Sequence, residues 1–292
     1  MIILDTLFPL FALLVLGCFL KRRGLTSDLF LKTADKLVYY IFFPVMLFWK
    51  VGGAAGGSSS TGLCLAGFFS VVTVFGLSLL YIVKGGVDGS RAGSFSQASY
   101  RFNTYIGMAI VVAVLGEEGV RHFGILIGFL IPAINVMAVS VLIWYSDQTL
   151  SLNQRVLFFV KALLSNPLIL GCLGGFLVSR AGISFPVFLN NTFALVSSVT
   201  LPLALISIGG TLSFSGVARH GRQALAASGF KLVALPVTGF IMLKIFGVDG
   251  VAFKTGMIFF CLPTSTALYV LSAQLNSDLE LASTAIMVST ML

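Results

Sequence analysis

Charge is what this sequence has least of. Only 10% of its 292 residues are Asp, Glu, Lys or Arg, against 58% hydrophobic ones, whereas soluble domains carry roughly 25% charged residues. With a mean hydropathy of +1.04, a water-soluble globule is excluded. No polar block is long enough to fold alone, so one membrane domain and no soluble one is expected. Histidine is limited to His122 and His220, each beside an arginine and each read as a loop residue. The four cysteines, Cys18, Cys64, Cys172 and Cys261, lie far apart inside apolar stretches. That spacing suits neither a zinc site nor a disulfide framework, so they read as packing residues and no metal is expected. A nucleophile paired with a base and a phosphate-cradling loop are also missing. Neither an enzyme nor a bound cofactor is expected.

What the sequence does have is a succession of apolar runs near the twenty residues that a helix needs to cross a hydrocarbon core about 30 Å thick. Hydropathy and breaker residues place ten spans at 2–20, 36–52, 62–83, 94–115, 121–144, 156–178, 188–213, 222–246, 251–273 and 279–292. The first has no basic region before it and no cleavage signature after it, so it reads as a retained span. The tenth is short; it either enters part way or continues past Leu292. Lys21, Arg22, Arg23, Lys32, Lys36, Lys84, Arg91, Arg155, Arg219 and Arg222 fall in loops on one side, against Lys50, Arg121, Arg180, Lys244 and Lys254 on the other. The first side is expected to be cytoplasmic, which puts both termini outside. The net charge of +8 therefore serves orientation and lipid headgroups, and nucleic acid has no place in the account.

Shifted by 158 positions, the chain matches itself at rare residue types. Pro9 aligns with Pro167, Gly17 with Gly175, Arg22 with Arg180, Gly24 with Gly182, Phe30 with Phe188, and Pro44 with Pro202. Two halves follow, 1–145 and 156–292, joined by a short cytoplasmic loop at 146–155. Each half has five spans, so the second enters the membrane upside down. Inverted repeats of this kind are typical of secondary transporters, whose sites lie where helices break near the midplane. A structural protein or an enzyme needs no such arrangement.

The register sets Arg101-Phe-Asn-Thr-Tyr-Ile-Gly107 of span 4 beside Cys261-Leu-Pro-Thr-Ser-Thr-Ala267 of span 9, with Tyr105 opposite Pro263. Pro263 removes a helical hydrogen bond and Gly107 relaxes the backbone. Asn103, Thr104, Thr264, Ser265 and Thr266 supply donors and acceptors beside the freed peptide groups. The plainer alternative is a kinked helix whose hydroxyls bond back to carbonyls four residues earlier. Crossing half-helices would aim their positive N-terminal ends at the centre and favour an anion. No Asp or Glu lies deep in spans 3 to 9, whereas Arg101 and Lys231 do. They read either as supports for an anion or as a snorkelling arginine and a lysine that snorkels or caps a carbonyl. Asn135 lines the cavity or bonds between helices.

Several motifs in order resemble the auxin efflux carrier family, which includes plant auxin carriers and bacterial organic-acid permeases. They are Asn103-Thr-Tyr-Ile-Gly107, Ser165-Asn-Pro-Leu168, Leu201-Pro-Leu-Ala204 with Gly209, Lys231 with Pro236, Leu262-Pro263, and Ala282-Ser-Thr284 with Ser289-Thr290. The resemblance spans nearly the whole chain. It implies an all-α polytopic fold of about ten helices like that of bile acid symporters and sodium/proton antiporters. Helices 1, 2, 6 and 7 would form a scaffold, and 3–5 and 8–10 a transport bundle. It further implies a substrate site at the crossing of broken helices 4 and 9, an elevator-like motion and a homodimer. Two departures stand out: Met108 replaces a proline common in plant members, and their long cytoplasmic loop is absent. The first implies a milder or displaced break in helix 4, and the second suggests a bacterial type in the inner membrane.

The expected function is secondary transport of a small organic anion, a carboxylate, with the coupling ion, proton or sodium, left open. The alternatives are a sodium-coupled symporter of the bile acid type and a membrane ligand sensor that does not transport.

Overall fold

The computed structural model describes residues 2–53, 60–145, 166–211 and 217–292, and among them every regular element is helical. The helices are α1 (Ile2–Arg22), α2 (Asp28–Leu37), α3 (Phe43–Gly52), α4 (Thr61–Tyr81), α5 (Gly89–Tyr100), α6 (Thr104–Trp144) and α7 (Pro167–Arg180). They continue with α8 (Val187–Thr211), α9 (Val217–Gly229), α10 (Leu235–Ile245), α11 (Gly250–Cys261), α12 (Ala267–Gln274) and α13 (Leu279–Met291). The connecting loop at 146–155 and the first part of the sixth span, with Ser165, lie outside the described residues.

Four helical runs are long and apolar enough to cross a membrane: Thr61–Gly86, Gly89–Trp144, Val187–Thr211 and Ala218–Ile245. Their outward faces confirm the solvent. Val233, Val237, Ile241 and Ile245, spaced one turn apart, are 63%, 55%, 48% and 65% exposed. Such a stripe is costly against water and at home against lipid tails.

Prolines explain two local departures from α-helix. Pro44 and Pro236 are the second residues of α3 and α10, and each follows a π-helical turn, Val38–Phe42 or Phe230–Ala234. The proline ring would collide with the carbonyl four residues back, and the wider turn moves that carbonyl away. Phe43 and Leu235 accordingly donate five residues back, to Val38 and Phe230. The Asn166 side-chain oxygen accepts from the N–H groups of Leu168 and Ile169, and Pro167 begins α7, a favoured start. Within α6, Gly116 has φ 62° and ψ −150°, a conformation open only to glycine, so the helix turns a corner there.

The described chain divides into two compact units. The first comprises Met1–Ser60, Tyr105–Gly128 and Leu164–Leu212; the second comprises Thr61–Thr104, Phe129–Leu163 and Ser213–Leu292.

In the first unit helices meet backbone to backbone through glycine. A Cβ on Gly17 of α1 would collide with the carbonyl oxygen of Ile206 in α8, and one on Gly209 would collide with that of Leu14. Between α7 and α3, a Cβ on Gly175 would stand 2.7 Å from the carbonyl oxygen of Phe48. Gly17 and Gly175 are 158 apart, and so are Phe48 and Ile206. One shift therefore converts the first contact into the second. The helix ends follow the same shift: α1 stops at Arg22 and α7 at Arg180, and Gly24 and Gly182 turn the chain at φ 71° and 65°.

The broken helices of the second unit

Here α5 and α11 both stop inside the protein. Each is followed by an extended residue, Arg101 (φ −65°, ψ 153°) or Leu262 (φ −65°, ψ 147°), and helix resumes at Thr104 and Ala267. The stretches between are joined by a hydrogen bond of 2.9 Å from the Asn103 N–H to the Pro263 carbonyl. The rings of Phe102 and Phe259 lie edge to face beside it, 4.5 Å apart.

Buried peptide groups need partners, and those freed by the second break can be followed one by one. Pro263 has no N–H for the Phe259 carbonyl, which accepts instead from Leu262 at 3.4 Å. The Thr264 N–H, which a continuous helix would direct to Phe260, goes to Ser289 Oγ of α13 at 3.2 Å. The Phe260 carbonyl then accepts from Lys231 Nζ at 3.1 Å. Lys231 is 0% exposed. Its Nζ thus sits at the C-terminal end of α11, where the helix dipole favours positive charge.

The expected site residues separate into two groups. Asn103 is 1% exposed and Thr264 0%; Thr104, Pro263, Ser265 and Thr266 are half-buried. Thr264 Oγ1 has no hydrogen-bond partner among the described residues. Ser265 Oγ accepts from the Ala267 N–H at 3.2 Å, within its own turn. Arg101, at 7% exposure, does not snorkel; it donates to the side-chain oxygen of Asn135 at 2.6 Å. Tyr105 and Gly107 belong to the first unit, where Tyr105 packs edge to face on Phe43 at 5.1 Å.

Three expectations need correction. Gly107 does not relax the backbone, since it lies within α6; the chain unwinds at Arg101–Asn103, which contains neither proline nor glycine. By backbone conformation Arg101 corresponds to Leu262, three residues out of the 158 register, so Phe102 rather than Tyr105 faces Pro263 in the comparison. His122 and His220 are not loop residues: each lies in a helix and is 1% exposed. His122 Nδ1 is 2.9 Å from Ser60 Oγ. The nearest carboxylate, that of Glu118, is 3.9 Å from the other ring nitrogen, beyond the reach of the hydrogen bond that would orient a catalytic histidine.

Sequence reasoning also passed over the polar stripe on α5. Ser90, Ser94, Gln97 and Arg101 recur at helical spacing, and Ser94 and Gln97 are 0% exposed. Ser94 Oγ lies 3.0 Å from Ser272 Oγ on α12. That spacing was the available signal.

Described residues whose regular elements are all helical, with apolar outer faces, buried basic side chains and two helices broken inside the protein, define a polytopic membrane transporter. The chain belongs to the membrane transport protein family, auxin efflux carrier-like, whose sequence model matches residues 2–292. Among similar proteins are two archaeal ones described as uncharacterized transporters. That of Methanothermobacter thermautotrophicus is 22% identical over 293 residues, covering 99% of this chain and 94% of its own length. That of Methanocaldococcus jannaschii is 22% identical over 297 residues, with 99% and 95% covered.

Proposed function

We propose that the protein is a secondary carrier for a small organic anion, a carboxylate, bound where the two broken helices cross. The observation that carries this reading is the joining of the breaks through Asn103 and Pro263. Two half-helix N-termini, at Thr104 and Ala267, begin beside that junction, and each carries a positive partial charge of roughly +0.5. Asn103, Thr104 and the hydroxyls of Thr264 to Thr266 offer donors, while Arg101 and Lys231 add positive charge.

Alternating access by an elevator-like motion follows if the halves are inverted repeats, and the exchange of Gly17–Ile206 with Gly175–Phe48 supports that relation. In this reading α1–α3, α7 and α8 are the scaffold. The transport bundle comprises α4, α5, α6 and α9–α13. The protein works as a homodimer in the bacterial inner membrane, with both termini outside.

Solid-supported membrane electrophysiology on purified protein in liposomes tests this, screening mono- and dicarboxylates with and without sodium. A saturable response is the expected result. Currents that vanish without sodium would make it a symporter, and binding without current would make it a sensor. If no anion binds, the assignment of substrate charge is wrong.

Lys231→Met separates support of the anion from support of the fold. Methionine matches the stem, and removing a buried charge offsets the loss at the Phe260 carbonyl. The variant is expected to melt within a few degrees of the wild type while its apparent anion affinity falls roughly tenfold, about 1.4 kcal/mol. Unchanged affinity would leave Lys231 a structural cap alone.

A further inference from the structure

Three helices of the second unit begin at one place, and charged residues mark each beginning. Asp88 and Arg91 open α5, Arg219 and His220 lie in the first turn of α9, and Asp278 and Glu280 open α13. His220 stands between the last two. Its Nε2 is 3.1 Å from Glu280 Oε2 and its Nδ1 is 3.9 Å from Asp278 Oδ2. Nδ1 has no hydrogen-bond partner among the described residues, although the side chain is only 1% exposed. Arg91 pairs with Asp278 and Asp88, each at 3.2 Å, and Arg219 lies 3.6 Å from Glu280. Arg222, on the same helix as His220, is exposed and in no ion pair among the described residues.

The paired set has two arginines against three carboxylates, so it is one positive charge short. A neutral imidazole has a single N–H and can donate to only one carboxylate, leaving a lone pair turned to the other. A protonated one carries an N–H on both nitrogens and a positive charge that attracts both carboxylates, Glu280 within hydrogen-bond reach and Asp278 at 3.9 Å. Histidine is also the side chain that ordinarily changes charge between pH 5 and 8.

The joint is wired to the broken helices. Asp278 caps α13 by accepting from the Leu281 N–H at 2.9 Å, and its own N–H donates to the Ser90 carbonyl at 3.3 Å. Ser94 Oγ is 2.8 Å from the Asp278 carbonyl and 3.0 Å from Ser277 Oγ. One turn of α5 further lies Gln97, and the next leads to Arg101.

We propose that His220, with Asp278 and Glu280, is a proton-binding site that fastens the first turns of α5, α9 and α13 together, and that transport depends on pH through it. The effect on transport rests on the carrier reading; the proton site does not.

The chain has two histidines, which makes the test direct. In full-length protein labelled with 15N-histidine in nanodiscs, His122→Gln leaves the His220 imidazole alone in the spectrum. His220→Gln identifies the same signal in the wild type by difference. The His220 ring-nitrogen signals are expected to report a change of protonation as the pH is varied, and Asp278→Asn, which keeps a helix-capping side chain, is expected to alter that response. In liposomes, carboxylate-evoked currents of the wild type are expected to change several-fold from pH 5.5 to 8, while those of His220→Gln stay flat. An imidazole fixed in one charge state from pH 5 to 8, or a pH profile unchanged in His220→Gln, overturns the proposal. Wild-type protein without current at any pH overturns the carrier reading, and the resonance titration then decides the proton site by itself.

Discussion

Asn103→Ala is expected to weaken the response to carboxylates by roughly 10- to 100-fold while leaving the protein folded. The reason is that Asn103 contributes twice to the junction. Its backbone N–H holds the Pro263 carbonyl, and alanine keeps that bond. Its side-chain amide is lost. A hydrogen bond to a charged partner is worth about 1.5–3 kcal/mol, which sets the expected loss. Asn103→Asp provides a sharper contrast, because it keeps the size and places a negative charge where the substrate's charge would go. The measurement is the concentration dependence of the current, with a thermal melt as control for folding. An alanine variant with wild-type affinity would move the site away from the crossing.

Gly209→Val is expected to remove the folded protein altogether. A Cβ at this position has no space, since the Leu14 carbonyl oxygen of α1 occupies it, and both atoms belong to helix backbones. Overpacking by a side-chain contact costs about 1–3 kcal/mol, and here no rotamer change can relieve the clash, so a loss of about 3 kcal/mol or more is expected. Gly76→Ala in α4 is the control. A Cβ there meets nothing within 4 Å, and replacing a helical glycine by alanine contributes about 0.5–1 kcal/mol. Size-exclusion profiles and melts of the two variants in detergent should diverge widely. If Gly209→Val melts with the wild type, the close approach of α1 and α8 is wrong.

Local chemistry was readable in the sequence, and distant partnership was not. Pro263 announces its break because a missing N–H acts on its own helix. The glycine at 17 could be paired with the one at 175 because both are rare types in one register. The break at Arg101–Asn103 carries no such mark. Nothing in Arg-Phe-Asn forbids helix, and the stretch is held open by a carbonyl 160 residues away. His220 looked solitary because its carboxylates, at Asp278 and Glu280, lie some sixty positions along the chain. Lys231 was readable as either a snorkelling stem or a cap, and only the position of the Phe260 carbonyl distinguishes these. Arg101 was readable as either a support for an anion or a snorkelling side chain, and its bond to Asn135, from another span, removes the second.

The glycine contacts of the first unit also constrain how the protein is made. Gly17 rests on Ile206, roughly 190 residues later in the chain, and a ribosome adds about 5–20 residues per second. The first helix therefore waits on the order of 10–40 s before the surface that receives it has been synthesised. During that interval its glycine face has only lipid or the insertion machinery against it. The same holds in reverse, since Gly175 rests on Phe48 from the earlier half. Neither half can complete its own packing, so a nascent chain released early, or a polypeptide cut between the halves, leaves each part with a helix face that only the other can cover.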